Sequence, residues 1–185
     1  VTENNMPGAR RSSGASSLRE EHDAPLEWRA PGFCILPASE AHAVAMAPHL
    51  RLADAAEVYA TSGRTAEAAL LAALRRSTQA WTCLVDGEPG CMWGVGPLSL
   101  VAGRGCPWLL GTVAIEQHPM TFLRQSRAYL RQMLHTYSRL ENHVDARNTV
   151  SIRWLRWLGF TIEPPAPYGF LQLPFHRFHM ERADV

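Results

Sequence analysis

Apolar and polar positions along the chain change their period several times, and each change predicts an element. Residues 32–36 read as a strand ended by Pro37, after which Ser39 offers N-cap chemistry to a short Ala-rich helix that Pro48 terminates. Residues 54–61 form a second helical piece, stopped by Ser62 and Gly63. Thr65 caps a third, with Ala68, Leu71 and Leu74 among its apolar positions and Arg75 and Arg76 complementing the helix dipole in its last turn. Alternation by two then sets in over residues 80–85, with Trp81, Cys83 and Val85 on one side. Asp86-Gly87 predicts a hairpin turn, and residues 90–95 return antiparallel. Gly94, Gly96 and Pro97 break that strand, Gly103 and Gly105 mark a further turn, and residues 108–115 are apolar almost throughout, as a strand covered on both faces is.

Helical spacing returns over residues 119–140, where Leu123, Leu130, Met133, Leu134 and Tyr137 form one stripe. Arg124, Arg127, Arg131 and His135 form another, which reads as a solvated face. Residues 141–145 are a short strand. Asn148 and Thr149 supply N-cap oxygens to a helix whose apolar side carries Val150, Trp154, Trp157 and Leu158, widened by Ile152 and Leu155. Gly159 is its left-handed cap, and Phe160 folds back on the last turn. Trp81, Trp108, Trp154, Trp157 and Phe160 are expected in the core. Thr161-Ile162, a Pro-rich turn over residues 164–167 and a last strand over residues 175–180 complete the order β-α-α-β-β-β-α-β-α-β.

Asn148, followed by Gly159-Phe160, resembles the second half of the GNAT acetyltransferase fold, where such residues close the acetyl-CoA side of the sheet. The longer string HVDARNTVSIRWLRWLGF, with PWLLGT upstream and LPFHRF downstream, resembles GNAT-like phage proteins, a family that includes the internal virion protein A of short-tailed phages. The similarity runs from about Leu50 to the C-terminus. It implies a single α/β domain over residues 30–185, with a central mixed sheet flanked by helices. Residues 1–29 precede it as an irregular arm, polar and rich in Ser, Gly, Arg and Glu, and too poor in apolar surface to order alone.

Charge and cysteines narrow the classes. A net charge of +1 gives no field for nucleic-acid binding, and specific binding of that kind is not expected. All 18 basic residues are Arg, which fits a GC-rich genome. Cys34, Cys83, Cys91 and Cys106 lack C-x-x-C spacing and are expected as reduced fillers, with a Cys83–Cys91 disulfide the lesser alternative. No apolar run has the length of a membrane span and no signal-peptide segment opens the chain, so the bacterial host cytoplasm is the expected place of synthesis.

Two departures bear on acetyl transfer. The resemblance places a Gly-rich diphosphate loop at residues 115–121, yet Ile115-Glu116-Gln117-His118-Pro119-Met120-Thr121 has no Gly, and Pro119 removes an amide donor. The tyrosine that protonates the departing thiolate in the family falls at Leu155, which has no proton to give. Glu116 or His118 remains as a base near the strand end. His143 and Asp145, two apart on a strand, share a face and permit an orienting hydrogen bond or a metal pair. His176 and His179 face opposite ways, and no metal site is expected. Asn148 is then a capping residue first.

The resemblance and these departures together lead to an expectation of a virion-associated structural or assembly protein, with the GNAT fold as a docking module and no catalytic or cofactor-binding residues. Other virion proteins and copies of itself would be its partners and the virion its location. Arg10, Arg11, Arg19 and Trp28 in the arm, with Tyr168 and Phe170 in a loop, would bind those partners. An acetyl-CoA-dependent N-acetyltransferase acting in the host cell is the alternative, and acetyl-CoA is a ligand only under it.

Overall fold

The computed structural model describes residues 28–116 and 119–184, with side chains for 29–115 and 125–183. Arg10, Arg11 and Arg19 lie outside the described residues, as does the side chain of Trp28.

Eight strands form one sheet in the order β1-β2-β3-β4-β5-β6-β8-β7. They are β1 (Trp28–Ala30), β2 (Phe33–Pro37), β3 (Gln79–Val85), β4 (Glu88–Ser99), β5 (Arg104–Gly111), β6 (Arg139–Asp145), β7 (Thr161–Tyr168) and β8 (Leu173–Glu181). Neighbours run antiparallel except β5 and β6, which are parallel and paired only at Arg104↔Arg139 and Gly105↔Leu140. The helices are α1 (Glu40–Met46), α2 (Leu52–Ser62), α3 (Ala66–Arg76), the turn α4 (Val113–Glu116), α5 (Pro119–Thr136) and α6 (Thr149–Leu158).

Period-two alternation sorts the sheet into two cores. Cys91, Trp93 and Val95 of β4 point to one face, where Tyr129, Leu130 and Met133 of α5 and Ile152 and Leu155 of α6 cover them and their neighbours. Trp81 and Trp93 meet Tyr129 edge-on at 4.9 and 5.1 Å. Met92, between them in sequence, points to the other face and packs with Ala43, Met46 and Leu70 of α1 and α3. Ser39 and Thr65 cap α1 and α3 with their side-chain oxygens, as their positions predict.

Several expectations are corrected, among them the strand break at Gly94, Gly96 and Pro97, which all lie within β4. The strand read at residues 108–115 begins at Arg104 and ends at Gly111, followed by the helical turn α4. Gly105 breaks nothing. It sits in the strand because a Cβ there would lie 2.7 Å from the Tyr137 ring. The Pro-rich turn at residues 164–167 is instead part of β7, an edge strand with a register shift between Ile162 and Pro165, where missing N–H groups are tolerated. Trp157 and Val150 are exposed, at 47% and 56%, and the buried stripe of α6 is Ile152 with Leu155. Trp157 instead lies under the Arg127 guanidinium, 4.6 Å from its ring centroid. The long helix ends at Thr136, and β6 starts two residues before the expected strand.

The remaining helix ends follow the sequence. Asn148 Oδ1 accepts the Ser151 N–H, and Gly159 closes α6 at φ 103°. All four cysteines are free, with Cys83 and Cys91 buried opposite one another on β3 and β4. Arg127, Arg131 and His135 are exposed, while the Arg124 side chain lies outside the described residues. No described helix is long and apolar enough to cross a membrane.

Candidate functional site

The site lies where β5 and β6 part. Two pairs of residues hold them together at their N-terminal ends, and beyond Gly105 and Leu140 they splay. A cavity of about 390 Å³ passes through this gap. On one face it runs between α5 and α6, along Ser126, Tyr129, Ser151 and Leu155. On the other it opens beneath α2, at Asp54, Glu57, Val58 and Thr61.

Backbone groups along β5 are committed in alternation. Gly111 turns both of its own toward α2: its N–H donates to Asp54 Oδ2 at 2.8 Å and its C=O accepts the Arg51 N–H at 2.9 Å. Pro107 accepts at its C=O from Asn142 Nδ2 at 2.8 Å, and its lack of an N–H costs nothing on this side. Leu109 lies midway between them, so strand alternation turns its N–H and C=O into the gap too. A ligand with amide groups in an extended chain finds there a donor and an acceptor in strand register.

Titratable groups collect on the α2 side. Asp54 is buried and ion-paired with Arg51 at 2.9 Å. One turn on, Glu57 accepts from Asn148 Nδ2 at 3.1 Å, a bond that ties α2 to the start of α6. Burial pushes the Glu57 carboxyl up to about 7, the Asp54 and Asp145 charges add to the rise, and the Asn148 bond opposes it. His143 on β6 stacks on Tyr168 of β7, with ring centroids 3.7 Å apart and planes within 9°. Burial and then the Arg177 charge lower the His143 pKa, so the imidazole is neutral at pH 7. Cys106 beside them has its thiol pushed up to about 11 by burial and the Glu141 charge, which leaves it without nucleophilic thiolate.

Tyr168 is held from behind. The turn after it docks on the end of α2, with Phe170 N–H donating to Thr61 C=O at 3.1 Å and Leu171 N–H to Ala60 C=O at 3.0 Å. Gly169, at φ 76°, permits this, because a Cβ there would lie 2.6 Å from Thr61 Cα. Phe170 is exposed and meets Tyr59 edge-on at 6.1 Å. Of the expected partner-binding residues, then, Tyr168 lines the cavity and Phe170 packs against its own domain. Asp145 does not hydrogen-bond His143; Arg147 engages its carboxylate at 2.6 Å. The Glu116 and His118 side chains lie outside the described residues. Among the described residues no group of three or more His, Cys, Asp and Glu could hold a metal ion.

A parallel pair that parts in the middle of an otherwise antiparallel sheet, flanked by α5 and α6, has a known counterpart. The fold is that of the GNAT acetyltransferases. No family model matches the sequence, and none of the curated proteins matches it. Solved structures do. The ribosomal-protein-S5-alanine acetyltransferase from Vibrio fischeri superimposes with a TM-score of 0.60 at 11% identity, over 86% of this chain and 98% of its own. The RimL ribosomal L7/L12 α-N-protein acetyltransferase, in complex with coenzyme A, gives 0.58 at 13% identity, over 84% and 97%. The yncA structure from Salmonella typhimurium, with its cofactor acetyl-CoA, gives 0.57 at 14% identity, over 82% and 94%.

These matches correct the expected function. Acetyltransferases, two of them with coenzyme A or acetyl-CoA, are what this chain superimposes on, and no match supports a phage virion or structural role. The N-acetyltransferase alternative is the better supported reading. Sequence reasoning missed Asp54 and Glu57, although both share a helical stripe with Val58 and Thr61; two carboxylates on an otherwise apolar stripe were the available signal.

Proposed function

We propose that the protein is an acetyl-CoA-dependent N-acetyltransferase. The observation that carries this reading is the splay of β5 from β6, with a cavity through the sheet lined by Leu109, whose backbone strand alternation turns toward the gap. An acyl pantetheine arm is a narrow chain with two amides, and it fits such a slot between α5 and α6. Acetyl-CoA, when bound, supplies the activated acyl group as a thioester.

The chain's own residues divide the remaining work. Leu109 N–H and C=O hold the arm's amides in strand register, and Ser126 and Ser151 line the donor side. The stretch after β5 has no glycine, so the grip on the donor rests on the arm more than on its diphosphate. Glu57 receives the proton of the acceptor amine, directly or through one water. A carboxyl with a pKa of about 7 is half ionised at neutral pH and basic enough to take that proton. Asn148 orients it through Nδ2 and caps α6 through Oδ1.

Incubating the full chain with acetyl-CoA and a panel of primary amines, with free thiol and acylated amine both followed, tests the reading. Acetylated amine and thiol in equal amounts are expected. Hydrolysis alone, with thiol released and no amine acetylated, would contradict it.

A further inference from the structure

The α2 half of the cavity is closed along one side. The turn after β7 is fastened to the last turn of α2 by two backbone bonds, Phe170 N–H to Thr61 C=O and Leu171 N–H to Ala60 C=O. Gly169 comes so near α2 that a Cβ on it would sit 2.6 Å from Thr61 Cα, and the Phe170 ring covers Gly63, where a Cβ would lie 3.3 Å from it. An extended chain laid between α2 and this turn would need about 4.8 Å on each side. The two are already in backbone contact.

The remaining walls are flat, small or apolar. Trp108 of β5 is fixed by its Nε1–H, which donates to Ser77 Oγ at 2.8 Å, and Tyr168 is fixed by stacking on His143 at 3.7 Å. Ala69 and Ala73, four apart on α3, present only methyl groups to the cavity. Two carboxylates line it among the described residues. Asp54 is engaged by Arg51 and by the Gly111 N–H, which leaves Glu57 to meet a cation. The cavity, at about 390 Å³, lies near the lower end of the range for ligand pockets, about 300–1,000 Å³, and the acyl arm occupies part of it.

On the acetyl-transfer reading, we infer that the acceptor is a compact primary monoamine with a flat, ring-sized apolar body, its amine at Glu57 and its body among Trp108, Tyr168, Ala69 and Ala73. One carboxylate matches one ammonium group. A polyamine would have to desolvate a second ammonium against apolar walls, and a protein N-terminus would bring a backbone that the closed side does not pass.

Competing acceptors provide the test. With acetyl-CoA as donor, kcat/KM for phenethylamine is expected to exceed that for spermidine, and that for a short peptide with a free N-terminal alanine, by at least about 100-fold each. Ala73→Leu adds bulk at a half-buried helix position that Leu suits. It should lower the ratio of kcat/KM for phenethylamine to that for methylamine by about tenfold, chiefly through the phenethylamine KM. Ala69→Leu serves equally should Ala73→Leu not fold. Peptide or spermidine acetylated at least as fast as phenethylamine, or an unchanged ratio in the folded Leu variants, would overturn the inference. Wild-type protein that acetylates no amine of the wider panel would instead remove the acetyltransferase reading, and this inference with it.

Discussion

Glu57→Gln is expected to lower kcat/KM for the acceptor amine at pH 7 by about 10²- to 10⁴-fold, the range for losing a positioned general base. Wild-type kcat/KM should rise about tenfold per pH unit below neutrality and level off above the carboxyl's value of about 7. The variant's residual rate should be flat across that range. Shape changes little, since the Gln amide oxygen can still accept from Asn148 Nδ2. Stability should move the opposite way. The folded carboxyl titrates above its ordinary 4.5, so folding favours the protonated acid; that contribution is complete below 4.5 and is lost as pH rises through about 7. Ionising Glu57 in the folded protein therefore costs about 3 kcal/mol at pH 8 and above. Glu57→Gln removes the cost, and its melting temperature at pH 8 should exceed wild type by several degrees, while at pH 4 the two should agree. A variant that is inactive yet more stable at alkaline pH separates a functional carboxylate from a structural one.

Glu141→Ala is expected to destabilise the sheet by about 1–3 kcal/mol at pH 7, because its buried carboxylate is lost while Arg139 and Arg177 keep Glu181 and Glu163 as partners. The Glu141 carboxylate is buried and accepts from Arg139 Nε at 2.8 Å, Arg177 Nη2 at 2.7 Å and Arg104 Nη1 at 3.0 Å. Removing it takes the shared acceptor from three guanidinium groups, of which Arg139 retains Glu181 and Arg177 retains Glu163. Burial alone would raise its pKa, but the hydrogen bonds from Arg139 and Arg177 and the Arg177 and Arg104 charges outweigh that and hold it below 4.5. Its contribution is thus present above 4.5 and lost as pH falls through the lowered folded value. Thermal melts should show a deficit of several degrees at pH 7 that narrows in acid. Position adds a functional consequence: the three arginines come from β5, β6 and β8, beside the two register pairs at which β5 and β6 meet as strands. Loosening that joint should weaken donor binding even in molecules that remain folded.

Elements written into the chain by local chemistry were legible from it. Ser39, Thr65 and Asn148 cap the helices they were expected to cap, and Gly159 ends α6. The misread segments are those whose conformation depends on a distant neighbour. Gly105 lies in a strand because of Tyr137, and Pro165 and Pro167 are tolerated in one because β7 is an edge. Trp157 stays outside because α6 buries only its Ile152 and Leu155 side.

The site was legible by half. Asn148, Leu155 and the glycine-free stretch are local departures from a pattern, and reading them alone suggested a fold emptied of its chemistry. Glu57 gains its meaning from Asn148, which follows it by 91 residues, and His143 gains its own from Tyr168. Neither pair leaves a periodic trace in the sequence, because both meet across the gap between elements. The expected virion role rested on short matching strings, whereas the matches over more than four-fifths of the chain are to acetyltransferases.

The gap between β5 and β6 is the proposed seat of an acyl-CoA arm. Titration calorimetry of the full chain with acetyl-CoA tests it most directly. Saturable binding at one site per chain is predicted, with a dissociation constant between about 1 μM and 1 mM, the usual span for enzyme substrates. No heat of binding at millimolar acetyl-CoA would contradict it.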